Sequence, residues 1–195
     1  MDFGGVLTSE IWASFSAFCE VEGLEPDAVR GLFRADAEAL GTLRMLERGE
    51  LAEAEFERRF GSLLGVESHE GLIERLFAGL EPDERMLAAV RAARAAGVRT
   101  GLISNSWGTG IYERGNFDGL FDATVISGEV GLHKPQPEIF LLACERLAAE
   151  PRDCVFVDDL RENCRGAEAV GMAAVLHRDA ESSVAALERL LRVAL

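Results

Sequence analysis

Lysine is almost missing from this chain, since Lys134 is the single lysine among 20 basic residues and all the others are arginine. Arginine therefore serves the charged surface throughout. A solitary lysine arises by chance, or it marks a site that needs a compact ammonium group instead of a planar guanidinium. The residues around Lys134 decide between these two interpretations.

Long apolar runs and paired cysteines are missing as well. No stretch reaches the ~18 consecutive apolar residues that span a bilayer, and the first residues lack the basic and apolar regions of a signal peptide. The four cysteines are scattered, with neither a CxxC pair nor zinc-ligand spacing. We therefore expect a cytoplasmic protein with reduced thiols and no membrane partner.

Positive charge is scarce, because 34 acidic residues outnumber 20 basic ones and the formal net charge is −14. This balance argues against nucleic acid or an anionic membrane as partner, and an anionic substrate needs a local cationic site. With 195 residues, 48% of them apolar, the chain can form one sizeable core, alone or with a smaller inserted domain. Monomer and homodimer both stay open.

The stretch from Cys154 to Met172 is the most informative part of the chain. A short apolar run ending at Val157 is typical of a parallel strand that is buried on both faces. Two aspartates, Asp158 and Asp159, follow it directly, and helical spacing then covers residues 160–170. The aspartates therefore lie at the carboxyl edge of a sheet, where open α/β sheets bind ligands.

Adjacent carboxylates such as those of Asp158 and Asp159 repel each other, by about 4 kcal/mol at ~4 Å and an effective dielectric of about 20. A hard divalent ion offsets this repulsion, and Mg²⁺ binds carboxylates together with phosphate oxygens and water. The alternative is that the aspartates cap the following helix, as Asp often does. One aspartate is enough for a cap, so a metal site and a cap both stay open here.

Two different periodicities divide the rest of the chain. Over residues 8–97 the apolar spacing predicts five helices; the second covers residues 26–40, and a break between helices falls near Arg44 and Met45. From Val98 onward, strands alternate with helices. This alternation indicates βαβ units and a parallel sheet.

These elements predict an α/β fold, a Rossmann-like parallel-sheet core with an α-helical cap inserted after the first strand. The core comprises residues 1–8 and 86–195, and the cap comprises residues 9–85. Polar groups lie at the carboxyl edge of the core at four places along the chain. These places are Asp2, Ser104 with Asn105, Lys134, and Asp158 with Asp159.

The four places carry complementary chemistry. The hydroxyl and backbone N–H groups at Ser104 and Asn105 suit an anion, and Lys134 provides a mobile point charge. The two aspartates after the strand suit a cation, and Asp2 is left as a nucleophile or a further ligand. Each place by itself also fits a turn, a helix start or a chain terminus. Four such places at the same edge of the sheet indicate a functional site.

The order of the segments DFGGVL, GLISNSW, GEVGLHKPQPEIF and VFVDDLRENCRGAEAVGM resembles the haloacid dehalogenase-like hydrolase superfamily. Within it, the chain is most similar to phosphatases like the N-terminal domain of soluble epoxide hydrolase. The resemblance covers nearly the whole chain, including a helical cap after the first motif. It is specific for the fold and the superfamily, and it does not identify a substrate.

The resemblance implies a Mg²⁺-dependent phosphomonoester hydrolase that acts on a small phosphorylated metabolite through an aspartyl-phosphate intermediate. Asp2 matches the nucleophile, and Lys134 matches the lysine that neutralises Asp2 and the phosphoryl oxygens. Ser104 and the backbone of Asn105 match the motif that holds the phosphate.

The same resemblance implies the surroundings of the metal ion. The implied Mg²⁺ ligands are Asp2, the Gly4 carbonyl group and Asp159. Asp158 either pairs with Lys134 or orders water bound to Mg²⁺, and Asn163 braces the loop.

The first motif departs from the family pattern at Gly4, where many of these phosphatases carry a second aspartate as general acid and base. Such catalysis contributes about 10²–10⁴-fold to the rate. We therefore expect slow turnover, or a leaving group that needs little protonation, unless a residue of the cap or a water molecule replaces the acid.

The first strand of the fold is also not represented, because only Met1 precedes Asp2. In this fold the strand is central, between the strands that carry the second and fourth motifs. Each buried backbone group without a partner costs about 1–3 kcal/mol. We therefore expect several apolar residues to be encoded upstream of Met1.

Two other functions stay open. One is a catalytically impaired relative that binds phosphate or a protein, which Gly4 and the unrepresented strand favour. The other is a metal-independent 2-haloacid dehalogenase, which also uses an aspartate nucleophile but has no need of the pair Asp158 and Asp159.

Overall fold

Helices occupy the first half of the chain in the computed structural model, which describes residues 1–108, 112 and 119–195. Apolar residues at helical spacing give these helices a buried face. Their bounds are α1 Ile11–Val21, α2 Ala28–Ala35, α3 Ala37–Glu47, α4 Glu53–Leu64, α5 Leu72–Leu76 and α6 Glu84–Ala95. No helix within the described ranges is long and apolar enough to cross a bilayer.

The break in this helical region lies at Asp36, between α2 and α3. The Asp36 carboxylate accepts hydrogen bonds from the backbone N–H groups of Glu38 and Ala39, at 2.8 and 2.9 Å, and so begins a new helix. The break expected near Arg44 and Met45 is therefore wrong, because both residues lie inside α3.

Strands alternate with helices from residue 101 onward, as the sequence predicts. The elements are β1 Gly101–Ser104, β2 Ala123–Ile126, α7 Ser127–Val130, α8 Pro137–Arg146, β3 Val155–Asp158, α9 Arg161–Ala169, β4 Ala173–Leu176 and α10 Ala180–Leu191. Strand β1 pairs with β2 and strand β3 pairs with β4, and both pairs are parallel. The residues of the site come from the carboxyl ends of β1 and β3 and from the segment that follows β2 and α7.

Met1 and Asp2 lie between the two pairs of strands. The Met1 carbonyl group accepts a hydrogen bond from the Ile103 N–H at 2.9 Å, and the Met1 amino group donates to the Gly101 carbonyl oxygen at 2.6 Å. On the other side, the Asp2 N–H donates to the Val157 carbonyl oxygen at 2.9 Å. These bonds hold Asp2 between β1 and β3, where the end of a central strand is expected.

A cavity of about 430 Å³ extends from Met1 between the two pairs of strands. Residues of β1 and β3 line it, together with residues of α6, α8 and α10. The cavity therefore occupies the position that the sequence predicts for the first strand. The expectation that apolar residues are encoded upstream of Met1 stays a prediction.

Within the described ranges, apolar packing is concentrated in three clusters. One belongs to the helices of the predicted cap and includes Phe15, Phe56 and Phe60, whereas the other two join the strands to the helices that cover them. Trp107, from the loop after β1, packs into the cap cluster. The separate cap cluster supports the division at residues 9–85, which we keep as a proposal.

We expect the cavity beside Met1 to accept an apolar strand. A variant with about five β-branched residues added before Met1 should unfold at a higher temperature than one with the same number of glycine and serine residues. Burying one valine contributes about 1.5–3 kcal/mol, and each kcal/mol raises the Tm of a protein of this size by about 2–4 °C. Thermal unfolding followed by circular dichroism measures the difference, and equal midpoints contradict the expectation.

Candidate active site

Three loops at the carboxyl ends of the strands bring Asp2, Lys134 and Asp158 into direct contact. The Lys134 ammonium donates hydrogen bonds to Asp2 Oδ1 at 2.5 Å and to Asp158 Oδ2 at 2.8 Å. The lysine side chain is 1% exposed, and the two carboxylate side chains are 12% and 0% exposed. The single lysine of the chain therefore pairs with two buried carboxylates, so its position reflects a specific role and not amino-acid composition alone.

Asp158 is held in place by its own loop. Its Oδ1 accepts a hydrogen bond from the Leu160 N–H at 2.8 Å, and Asn163 Nδ2 donates to Oδ1 and Oδ2 at 3.0 and 3.1 Å. Helix α9 begins after Leu160 without a side-chain cap. Neither aspartate therefore caps this helix, and Asn163 braces the carboxylate that pairs with Lys134.

Asp159 lies beside the other two carboxylates and faces the glycine turn after Asp2. One oxygen from each of Asp2, Asp158 and Asp159 lies within 4.8 Å of the other two. Gly5 has a φ of +73°, and a Cβ there would lie 3.2 Å from Asp159 Oδ2, so the turn approaches this carboxylate closely. Hard oxygen donors at this spacing suit Mg²⁺. Because Asp158 already accepts several hydrogen bonds, Asp2 and Asp159 are the donors best placed for an ion.

The three carboxylates carry more negative charge than Lys134 neutralises. Burial, followed by the charges of Asp2 and Asp158, raises the pKa of Asp159 to about 6. Burial also raises the pKa of Asp2, against the opposing effect of Lys134. For Lys134, burial acts to lower the pKa, but the two carboxylates outweigh it and raise the pKa. The site therefore favours a further cation.

Ser104 is the last residue of β1, and Asn105 follows it at the same edge. The Ser104 hydroxyl is buried and accepts a hydrogen bond from the Tyr112 hydroxyl at 2.8 Å. The Asn105 side chain binds the main chain of Lys134 twice, because Oδ1 accepts from its N–H at 2.8 Å and Nδ2 donates to its carbonyl oxygen at 3.0 Å. Asn105 thus fixes the lysine loop, a role that the sequence did not indicate.

A pocket of about 360 Å³ lies between these residues and the cap helices. The core contributes Asp2, Gly4, Ser104, Asn105, Lys134, Asp159 and Asn163 to its lining, and the cap contributes Ile11, Trp12, Phe15, Phe33, Leu40, Leu43, Glu47 and Phe77. The structure therefore brings the predicted catalytic, phosphate-binding and metal-binding residues to one pocket. Asp158 does not line the pocket itself, but it binds Lys134, which does.

Sequence reasoning missed the cap residues of this pocket and Tyr112. Tyr112 is the only tyrosine of the chain, and this rarity was the one signal that could have found it. The cap residues, Glu47 among them, follow the same helical spacing as core or solvated positions. Spacing alone cannot tell which of them face the pocket.

The space at Gly4, where the second acid of the first motif would stand, is already filled. A Cβ on Gly4 would lie 2.4 Å from Cδ1 of Ile11, which belongs to α1. A side chain of the cap therefore occupies the volume that an acid at this position needs. The core loop has no room for that acid unless Ile11 moves.

Comparison with known proteins agrees with the motifs. The chain matches the haloacid dehalogenase-like hydrolase family over residues 1–171 and belongs to that family. It is 32% identical to bifunctional epoxide hydrolase 2 of Sus scrofa over 117 residues, which are 56% of the chain and 21% of that protein. It is 33% identical to glyceraldehyde 3-phosphate phosphatase of Methanopyrus kandleri over 103 residues, 51% of the chain and 44% of that protein.

A solved structure shows the same fold. A haloacid dehalogenase family enzyme of Bacteroides thetaiotaomicron, in complex with magnesium and inorganic phosphate, superposes with a TM-score of 0.69 over 91% of both chains at 21% identity. The predicted α/β Rossmann-like class and the resemblance to this superfamily are confirmed. The chain spans about a fifth of the length of the mammalian epoxide hydrolases that it matches.

We expect Lys134→Met to destabilise the protein strongly in the absence of divalent metal. The substitution leaves Asp2 and Asp158 buried without their common partner, and breaking a buried pair in this way costs about 3–5 kcal/mol. Arg152→Met is the control, because its ion pair with Asp153 is 4.0 Å long and both side chains are mostly exposed. Urea unfolding at pH 7 in EDTA measures both variants, and a similar small loss in the two contradicts the prediction.

Proposed function

We propose that the protein is a Mg²⁺-dependent phosphomonoester hydrolase that acts on a small phosphorylated metabolite through an aspartyl-phosphate. The observation that carries this proposal is the contact of Lys134 with Asp2, with Asp159 close to the same carboxylate. One small volume at the floor of the pocket is then surrounded by a nucleophile, an ammonium group and a pair of oxygen donors for a metal ion.

In the first step, a carboxylate oxygen of Asp2 attacks phosphorus, and the bond between phosphorus and the leaving oxygen breaks. Lys134 favours the ionised form of Asp2, orients it, and compensates negative charge on the phosphoryl oxygens. Ser104 and the backbone of Asn105 bind those oxygens from the end of β1. The protein contributes positioning and charge neutralisation for an in-line transfer, and water then hydrolyses the aspartyl-phosphate.

The residues present fit Mg²⁺, since the donors around Asp2 are all oxygen atoms and their negative charge is only partly compensated. Asp2, Asp159 and the Gly4 carbonyl group would hold the ion. When bound, it neutralises charge and orients the phosphoryl group for attack. The magnesium and phosphate of the Bacteroides thetaiotaomicron enzyme support the same assignment here.

The pocket favours a substrate with an apolar part beyond the phosphate. Its cap walls carry Trp12, Phe15, Phe33 and Leu43, and apolar side chains bind apolar surface by excluding water. A volume of about 360 Å³ limits this part to a small molecule. The phosphatase names of several relatives, such as that of Methanopyrus kandleri, support the reaction class.

We expect the protein to release phosphate from 4-nitrophenyl phosphate in the presence of Mg²⁺. This release should stop when EDTA is added. Asp2→Asn should remove the activity, because the amide is no nucleophile, whereas exposed Asp153→Asn should retain it. A coupled phosphate assay measures the rates. No release by the wild type indicates an impaired relative that only binds, and halide release from 2-chloropropionate without metal indicates a dehalogenase; either result contradicts the proposal.

We also expect Asp159→Asn to change stability in opposite directions with and without Mg²⁺. Its pKa is raised in the folded state from 3.8 to about 6, so ionised Asp159 destabilises the fold above pH 6. In EDTA the variant should therefore be more stable than wild type at pH 7.5, and this gain should vanish as the pH falls towards 4.

Added Mg²⁺ should reverse the order, because ligand binding stabilises only the protein that retains the site. Thermal unfolding across pH, with and without the ion, tests both halves of this expectation. Asp153→Asn, at an exposed residue that does not line this pocket, is the control. An identical Mg²⁺-induced rise in Tm for Asp159→Asn and wild type contradicts the assignment of Asp159 as a ligand.

A further inference from the structure

The proposed function leaves one chemical requirement without a residue, and the inference made here rests on that function. When the bond to phosphorus breaks, an alkoxide leaving group needs a proton. Gly4 cannot donate one, and Ile11 fills the space in which an acid at that position would stand. Lys134 is engaged with two carboxylates. The proton donor must therefore come from another wall of the pocket.

The geometry of the transfer indicates which wall. In an in-line displacement, the leaving oxygen lies on the far side of phosphorus from the attacking oxygen. Asp2 is at the core side of the pocket, so the leaving oxygen faces the cap helices. Two carboxyl groups of the cap line this pocket, Glu10 and Glu47. Glu10 is exposed, whereas Glu47 is half-buried at the end of α3.

The end of α3 is fixed against the core. Gly49 has a φ of +68°, and a Cβ there would lie 2.3 Å from the Gly128 carbonyl oxygen, just after β2. The lack of room for a Cβ shows that the chain just after α3 packs closely on the segment after β2, which places Glu47 near the sheet edge. In the described part of the chain, the Glu47 carboxyl group makes no hydrogen bond and no ion pair. No side-chain oxygen there is fully buried without a hydrogen-bond partner, so the Glu47 oxygens are not fully buried. The Glu47 carboxyl group is therefore open to the pocket.

The electrostatic surroundings of Glu47 agree with this position. Burial raises its pKa from 4.5 to about 7, while Lys134, Arg44 and Arg48 act in the opposite direction. At neutral pH the group is therefore divided between its acid and its base forms, as a general acid and base requires. The other titratable groups that line the pocket are Asp2, Glu10, Tyr112, Lys134 and Asp159.

We propose that Glu47, from the cap, is the general acid and base of the reaction and replaces the side chain that Gly4 lacks. As an Asp2 oxygen bonds to phosphorus, the electron pair of the breaking bond moves to the leaving oxygen, which takes the proton of Glu47. The products of this step are an alcohol, the aspartyl-phosphate and the Glu47 carboxylate.

The second step returns the proton. Water attacks the phosphorus of the aspartyl-phosphate, and the Glu47 carboxylate accepts a proton from that water. The bond between phosphorus and the Asp2 oxygen breaks, which releases inorganic phosphate and restores the Asp2 carboxylate, and Glu47 is protonated again. No further reactant is required, and one side chain serves both half-reactions because each places an oxygen on the same side of phosphorus.

The test compares Glu47→Gln with wild type on two substrates with Mg²⁺ present. On an alkyl phosphate, whose leaving group must be protonated, kcat should fall about 10²–10⁴-fold. On 4-nitrophenyl phosphate, whose leaving group is stable as an anion, the phosphorylation step should change less than about 5-fold, as measured by the 4-nitrophenol burst. Glu38→Gln, at an exposed position in the first turn of the same helix, should behave as wild type.

The pH profile separates a catalytic role from a structural one. For the alkyl phosphate, kcat/KM of the wild type should fall above about pH 7, and this fall should be absent in Glu47→Gln. Three results would overturn the assignment of Glu47 while the phosphatase activity stands: a loss of the 4-nitrophenol burst rate as large as the loss of kcat on the alkyl phosphate, an unchanged rate on the alkyl phosphate, or an unchanged pH profile. If wild type hydrolyses neither substrate, the proposed function fails first, and the role of Glu47 fails with it.

Discussion

The contact of Lys134 with Asp2 and Asp158 is the interaction on which the site depends. It joins residues that are 24 and 132 positions away along the chain, and it places an ammonium group where two carboxylates would otherwise repel each other. Asn105 fixes the main chain of the lysine, and Asn163 fixes Asp158. The ion pair is therefore part of a network in which buried polar atoms are satisfied, as a buried charge requires.

The core of the site could be predicted from the sequence because topology determines it. Parallel strands end at one edge, so Asp2, Lys134 and Asp158 had to meet once the alternation of strands and helices was recognised. The chemistry of each residue then followed from its type. The same reasoning could place neither Ile11 nor Glu47, because their position over the core depends on how the cap helices pack, and helical spacing does not encode those angles.

Local structure was harder to predict where a polar residue interrupts a regular pattern. Asp36 lies in a stretch whose apolar spacing continues on both sides, and it looked like one more solvated position. In the structure its carboxylate binds two backbone N–H groups and separates α2 from α3. The consequence reaches the site, because the new helix ends at Glu47 and brings that carboxyl group to the pocket.

Trp107 gives the two parts of the molecule a common anchor. It follows Ser104 and Asn105 by a few residues, yet its ring packs among aromatic rings of the cap, with centroids 5.1 Å from Phe15 and 5.6 Å from Phe33. Exposing about 200 Å² of an aromatic side chain costs about 5 kcal/mol. Rigid separation of the cap from the core is thus opposed, because it would pull the indole away from these rings. A displacement of the cap would therefore be transmitted through Trp107 to the end of β1, where we propose that Ser104 and Asn105 bind the phosphate.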